Sequence, residues 1–317
     1  MSKSLKKISV VAVALATSLG VVQTAKADVL ATAVIQLNNL QFKHAVGGAT
    51  LDKTTDFSML NYSNTAATFA SFTGTANQSG SGTGTPLDLP LICNGPGCAG
   101  SGLTPNGFQS LGTVTGRFAA ADQLEKGFPI TGIATGTPPP PPGATVSSAA
   151  YGQIKAPATS FGSANSNNGL TASIKFKTTF SGAVEIDADY SFFWKALLSA
   201  GEGAGSFTHT SGVVDFNLVD VTDPLHPVSV FDFKPVPLNW DVSLNGPAPV
   251  DISFSNSMTG SFTSGPIPVL STQTYQLTAR EITIAEVKSA VPEPGTLALF
   301  GLGLLGLGLA RRRLSVN

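Results

Sequence analysis

The chain has 317 residues, of which only 12% are charged, against 34 glycines, 21 prolines and abundant Ser and Thr, so it is kept soluble by hydroxyls more than by charge. Seven of its 18 Lys and Arg and one of its 19 Asp and Glu fall in the two end segments, which leaves 11 against 18 and a net charge of −7 over residues 28–290. That sign excludes a nucleic-acid partner, because displacing counterions from phosphate needs a basic patch. About 260 residues can bury a sizeable core, and we read 28–290 as a single extracytoplasmic domain.

In chain order, Lys3, Lys6 and Lys7 precede an apolar segment from Ile8 to Val22 and an A-x-A pattern at Ala25-Lys26-Ala27. This is the pattern of a secretory signal peptide over 1–27 with cleavage after Ala27, the alternative being a retained N-terminal anchor. Asp28 then begins the mature chain, and no cysteine stands near it for a lipid anchor.

Val29–Phe42 reads as a strand, and Asn61–Phe72 as a strand or a short helix. From Gly74 to Gly107 the composition collapses into Gly, Ser, Thr and Pro, which predicts a long loop. Inside it Cys93 and Cys98, the only cysteines, predict a local disulfide in an oxidising compartment, since two ligands without a nearby His are too few for a metal. Leu111–Phe118 is strand-like, Ala119–Lys126 suggests one or two helical turns, and Ile130–Ile133 is ambiguous. Pro138–Pro142 is a stiff polyproline segment, read as a surface loop within the domain.

Downstream, Ile174, Phe176, Thr178 and Phe180 alternate with polar residues, Ser181-Gly182-Ala183 intervenes, and Val184, Ile186, Ala188 and Tyr190 alternate again. Period two on both sides of a Gly-containing turn predicts a hairpin, with Lys177 opposite Asp187 and Lys175 opposite Asp189. A second hairpin is expected from Trp240–Leu244 and Val250–Phe254 around a turn at Asn245–Pro249. Val213–Val221, Val228–Phe233 and Thr274–Val287 read as strands, and Phe193–Ala200 as a helical turn. The expected fold is all-β: an antiparallel, jelly-roll-like sandwich with long Gly-, Ser- and Pro-rich loops.

Two acidic groups are candidate calcium sites: Glu185, Asp187 and Asp189 along one strand, and Asp215, Asp220 and Asp223 near Pro224. A strand ladder aims its carboxylates in parallel, whereas calcium wants six to eight converging oxygens, so Asp220 and Asp223 are the better candidates. No other cofactor is implied. His44, His209 and His226 are isolated in sequence, and no G-x-S-x-G, H-E-x-x-H or phosphate-loop string is present. Gly301–Gly306 fits G-x-G-x-x-G, yet no strand precedes it, and the string belongs to an apolar helix.

The last 27 residues join Pro292-Glu293-Pro294, an uncharged Leu- and Gly-rich run at about 295–310 that reads as a short transmembrane helix, and a stop-transfer cluster at Arg311, Arg312 and Arg313. Together they resemble the PEP-CTERM sorting tail of exopolysaccharide-producing Gram-negative bacteria. The resemblance implies export through an inner-membrane intermediate to the outer surface or extracellular matrix. It also implies processing at Pro292-Glu293-Pro294 by an exosortase. The expected role is a non-enzymatic structural or adhesive component of an exopolysaccharide biofilm. The alternatives are a lectin-like module using Trp194, Trp240, Tyr190 or Tyr275, or a polysaccharide-active enzyme.

Overall fold

The computed structural model describes residues 28–84, 86–108, 116–133, 143–155, 162–248 and 250–290. The signal peptide with Ala25 and Ala27, the proline run and the sorting tail lie outside the described residues, as does most of Leu111–Phe118. Among the described residues there is no α-helix. The strands are β1 (Asp28–His44), β2 (Phe57–Phe72), β3 (Gln78–Thr83), β4 (Leu87–Asn94), β5 (Arg117–Lys126), β6 (Ala144–Lys155), β7 (Gly162–Thr178), β8 (Gly182–Leu198), β9 (Phe207–Asp220), β10 (Val228–Phe233), β11 (Trp240–Asn245), β12 (Ile252–Thr263), β13 (Ile267–Val269) and β14 (Tyr275–Ser289).

They form two seven-stranded antiparallel sheets. One runs β12-β8-β1-β6-β5-β4 with β13 beside β12 on β8; the other runs β10-β9-β14-β7-β2-β3 with β11 beside β10 on β9. The sheets pack face to face, a sandwich with almost twice the eight strands of a jelly roll. Alternate residues of each strand face inward, which is why the period-two pattern of β7 and β8 and the β-branched content of β9, β10 and β14 read correctly. One half of the interior is aromatic: Phe176 meets Phe42, Phe57 and Tyr275 at ring-centroid distances of 5.5, 5.7 and 5.6 Å. The other half is built from small residues, among them Ala31, Ala33, Ala150, Ala164 and Ala285. A bulge at Asn38–Leu40 shifts β1 against both neighbours, and Asn39 there takes φ 52°, a left-handed conformation that Asn tolerates better than most residues.

Both expected hairpins are corrected. β7 pairs with β14 and β2, whereas β8 lies in the other sheet between β1 and β12, so the chain crosses the sandwich at 179–181. Asp187 pairs with Lys43 instead of Lys177. Likewise β11 pairs with β9 and β12 with β8, so Trp240 lies opposite Gly212, and Phe254 opposite Ala196. A period of two reports that a strand has one buried face; it does not report which sheet the strand joins, and a short connection can either reverse within a sheet or step across about 10 Å to the other.

The helical readings fail too. Ala119–Lys126 lies in β5 and Phe193–Leu198 continues β8, while the 74–107 loop contains β3 and β4. β5 is buried along nearly its whole length, on both faces. Ala119 faces the partner sheet, while Phe118, Ala120 and Leu124 join an outer cluster with Val34, Ala149, Tyr151 and Phe108. Burial on two faces removes the alternation that marks a strand and leaves an Ala-rich string with high helix propensity, which tertiary packing overrides. The cover over this outer face comes from the loop after β4, where Cys93 and Cys98 form the expected disulfide with Cα atoms 5.8 Å apart.

Candidate functional site

β1 leaves one pole of the sandwich and β14 returns to it. Ser199 N donates to Asp28 O at 3.0 Å, so the start of β1 is tied to the turn after β8. In that turn Glu202, only 2% exposed, accepts hydrogen bonds through Oε2 from Ser206 Oγ (2.8 Å) and Ser289 Oγ (3.0 Å). Ala290 N donates to Ser206 Oγ at 2.8 Å. Burial pushes the Glu202 carboxyl above its ordinary pKa, the two serine hydroxyls pull it down, and nearby Asp28 adds to the rise. The turn is packed at backbone distance: a Cβ on Gly246 would stand 2.5 Å from Gly203 O. The arrangement fixes the end of β14, an interior strand of its sheet, two residues in sequence before Pro292. Asp28 and Ala290, the two ends of the domain, therefore lie at one pole of the sandwich.

Between the sheets lies a cavity of about 40 Å³, walled by Leu37, Val146, Leu170, Ile174, Phe216 and Leu277, with Glu125, Glu281 and Tyr62 at its lining. That is room for two or three waters and far below the roughly 300–1,000 Å³ of small-molecule pockets, so no sugar unit fits between the two carboxyls. Tyr62 OH and Asn64 Nδ2 donate to Glu125. The Gln123 amide is buried without hydrogen-bond partners, and the buried Glu281 carboxyl has the Ser148 hydroxyl as its polar neighbour. Burial raises Glu125 to about 7, opposed by the Tyr62 hydroxyl. Burial likewise raises Glu281 to about 8, with the Ser148 hydroxyl opposing and Glu125 adding. Glu281 falls in phase with the inward-facing Leu277, Ala279, Ala285 and Val287, a signal that alone does not separate a buried glutamate from a solvated one. Glu125 was hidden by the helical reading of β5, and Glu202 lies in a turn with no sequence pattern of its own.

The residues weighed for calcium do not converge. Asp187 is paired with Lys43 and also accepts from Thr263 Oγ1 at 2.9 Å. Asp215 is bonded by Arg280 Nε and Nη2 at 3.0 and 2.5 Å. Asp220 accepts from Thr222 N (2.8 Å), and Asp223 accepts from Leu225 N (3.0 Å) and pairs with His226 Nδ1 (2.8 Å), so both are engaged by their own turn. Among the described residues no three His, Cys, Asp or Glu side chains gather at one point. Each histidine stands beside a carboxylate: His44 by Asp56 at 3.2 Å, His209 by Asp241 and Glu286 at 3.3 and 3.4 Å, and His226 by Asp223. Of the aromatic candidates Tyr190 and Tyr275 are buried, and Trp194 and Trp240 are half-buried against the core. Trp240 stacks on Phe192, and its ring fills the space that any side chain at Gly212 would need, within 2.3 Å.

The fold and its pole thus define an all-β sandwich whose last interior strand delivers the chain directly into its C-terminal segment. Residues 290–313 match the PEP-CTERM protein-sorting motif, which marks an exported protein that an exosortase sorts to the surface of a Gram-negative cell. No curated protein and no solved structure matches the chain.

Proposed function

We propose that the sandwich is a non-enzymatic structural or adhesive component of an exopolysaccharide layer, carried there by the sorting tail and released from its membrane helix at Pro292-Glu293-Pro294. The observation that carries this reading is the direct junction between the anchored end of β14 and the sorting motif at 290–313. The lateral edges of the two sheets, β3 and β12, are rich in Ser, Thr and Gly and suit contact with hydroxylated polymer. The lectin alternative loses support from the burial of Tyr190 and Tyr275, which leaves no open ring among its tyrosines for stacking on a sugar.

Two measurements test the proposal. Intact mass spectrometry of protein recovered from the matrix of producing cells should give a form lacking Arg311–Asn317; a form that keeps them would mean a permanent anchor. A glycan array with and without calcium should give weak, non-selective binding and no turnover. Saturable binding of one defined sugar would establish the lectin instead, and cleavage of any polysaccharide would overturn both readings.

A further inference from the structure

β12 is the end strand of its sheet: it pairs with β8 along one side, and among the described residues nothing pairs with the other. It has 12 residues, ISFSNSMTGSFT, with no charge and no proline, and ten of them are exposed. Long, uncharged edges are templates for another strand, and proteins that avoid pairing guard them with lysine, proline, bulges or brevity. The other edges are shorter or interrupted, β3 having six residues. β4 carries Asp88 and Pro90 and packs on β3; β10 and β11 have six residues each and are separated by a turn containing Pro235 and Pro237. β12 also overhangs the sandwich, so that Phe254 and Met258, on the same face as the core-packed Phe262, are 54% and 48% exposed.

We propose that β12 is a self-pairing edge through which two copies of this chain join sheet to sheet about a two-fold axis. The sequence of the strand argues for its own copy as the occupant. Identical antiparallel strands related by a two-fold axis perpendicular to the sheet pair residues of the same parity. Centring the axis on Met258 places Met258 opposite Met258, Phe254 opposite Phe262 and Asn256 opposite Gly260. On the other face Ser257 meets Thr259, Ser255 meets Ser261 and Ser253 meets Thr263. Apolar side chains thus oppose apolar ones at Met258 and at Phe254 with Phe262, hydroxyls oppose hydroxyls on the other face, and only Asn256 with Gly260 departs from the match; such pairings stabilise adjacent strands. A Cβ at Gly260 would come within 2.7 Å of Tyr190 Oη, so the position beside the dyad stays narrow. Pairing extends each seven-stranded sheet into its copy, with roughly a dozen backbone hydrogen bonds along about 40 Å of edge. The association is a property of the folded sandwich and does not depend on the proposed matrix role.

Sedimentation equilibrium of the full chain in detergent, across a wide concentration range, tests it. Wild type is expected to show a reversible dimer. Met258→Lys and Met258→Glu, each placing like charges face to face at the axis, should each weaken it by about 100-fold or more, and mixing the two variants should restore a heterodimer. Association through the membrane helix would be indifferent to these changes. Met258→Cys, which keeps the edge neutral, should cross-link between copies under mild oxidation, with strand circular dichroism confirming that every variant is folded. A monomeric wild type, a dimer untouched by Lys and Glu, a mixture no tighter than either variant alone, or an uncross-linked Met258→Cys chain would each overturn the proposal.

Discussion

Glu202 shows how one buried side chain can hold the end of a strand. Its Oε2 collects two serine hydroxyls, and one of those serines also receives Ala290 N, so truncation orphans several groups at once. Glu202→Ala should cost about 1–3 kcal/mol for the groups left unpaired, whereas Glu202→Gln, whose amide oxygen still accepts, should cost much less; urea unfolding measures both. Glu281 makes a different prediction, one of pH. Its carboxyl and that of Glu125 sit near 8 and 7 in the fold against an ordinary 4.5, so through that window the folded chain keeps protons that the unfolded chain has released. Their contribution is intact below about 4.5 and is lost as pH rises towards 8, by at most about 1.4 kcal/mol per unit for each carboxyl. Glu281→Gln should therefore gain on wild type steadily between pH 5 and pH 8 in thermal melts; a constant difference between the two proteins would show that Glu281 titrates normally.

At the scale of elements, β5 and the disulfide loop belong together. The strand has no exposed face because the loop from Cys93 to Phe108 closes over Phe118, Ala120 and Tyr151. Cross-linking so short a loop restricts the unfolded chain by about 2 kcal/mol on the chain-entropy estimate. Replacing Cys93 and Cys98 by Ser should cost about that much and make the segment between them and Phe108 an early site of proteolysis, before the sandwich itself opens; limited proteolysis with mass mapping reads this directly. Cleavage first at the β3 or β12 edge would mean that the loop is held by its packing alone. The cysteine pair was legible because an exported chain with two nearby cysteines has one obvious pairing. The strand beneath it was not, because alternation disappears when both faces are covered.

For the molecule as a whole, the crossings after β7 and β11 decide the architecture. Each joins one sheet to the other, so β7 and β8, and β11 and β12, become opposed layers, and the interior strands draw partners from far along the chain: β1 with β6 and β8, β14 with β7 and β9. The same topology sets both ends of the domain at one pole. The turns of the opposite pole carry the exposed Val46, Leu225 and Leu270 outward.

What the amino-acid sequence determined by itself was local or covalent: the all-β class, from period two and β-branched content; the disulfide; and the sorting tail, whose motif, apolar run and arginines are contiguous in the chain. Only the tertiary structure decided which sheet each strand entered, which carboxyls were buried and which edge stayed open. Those outcomes depend on contacts between residues tens to hundreds of positions apart, where alternation is degenerate between a hairpin and a crossing, and where a glutamate in phase with apolar neighbours looks no different from one in water until a second sheet covers it.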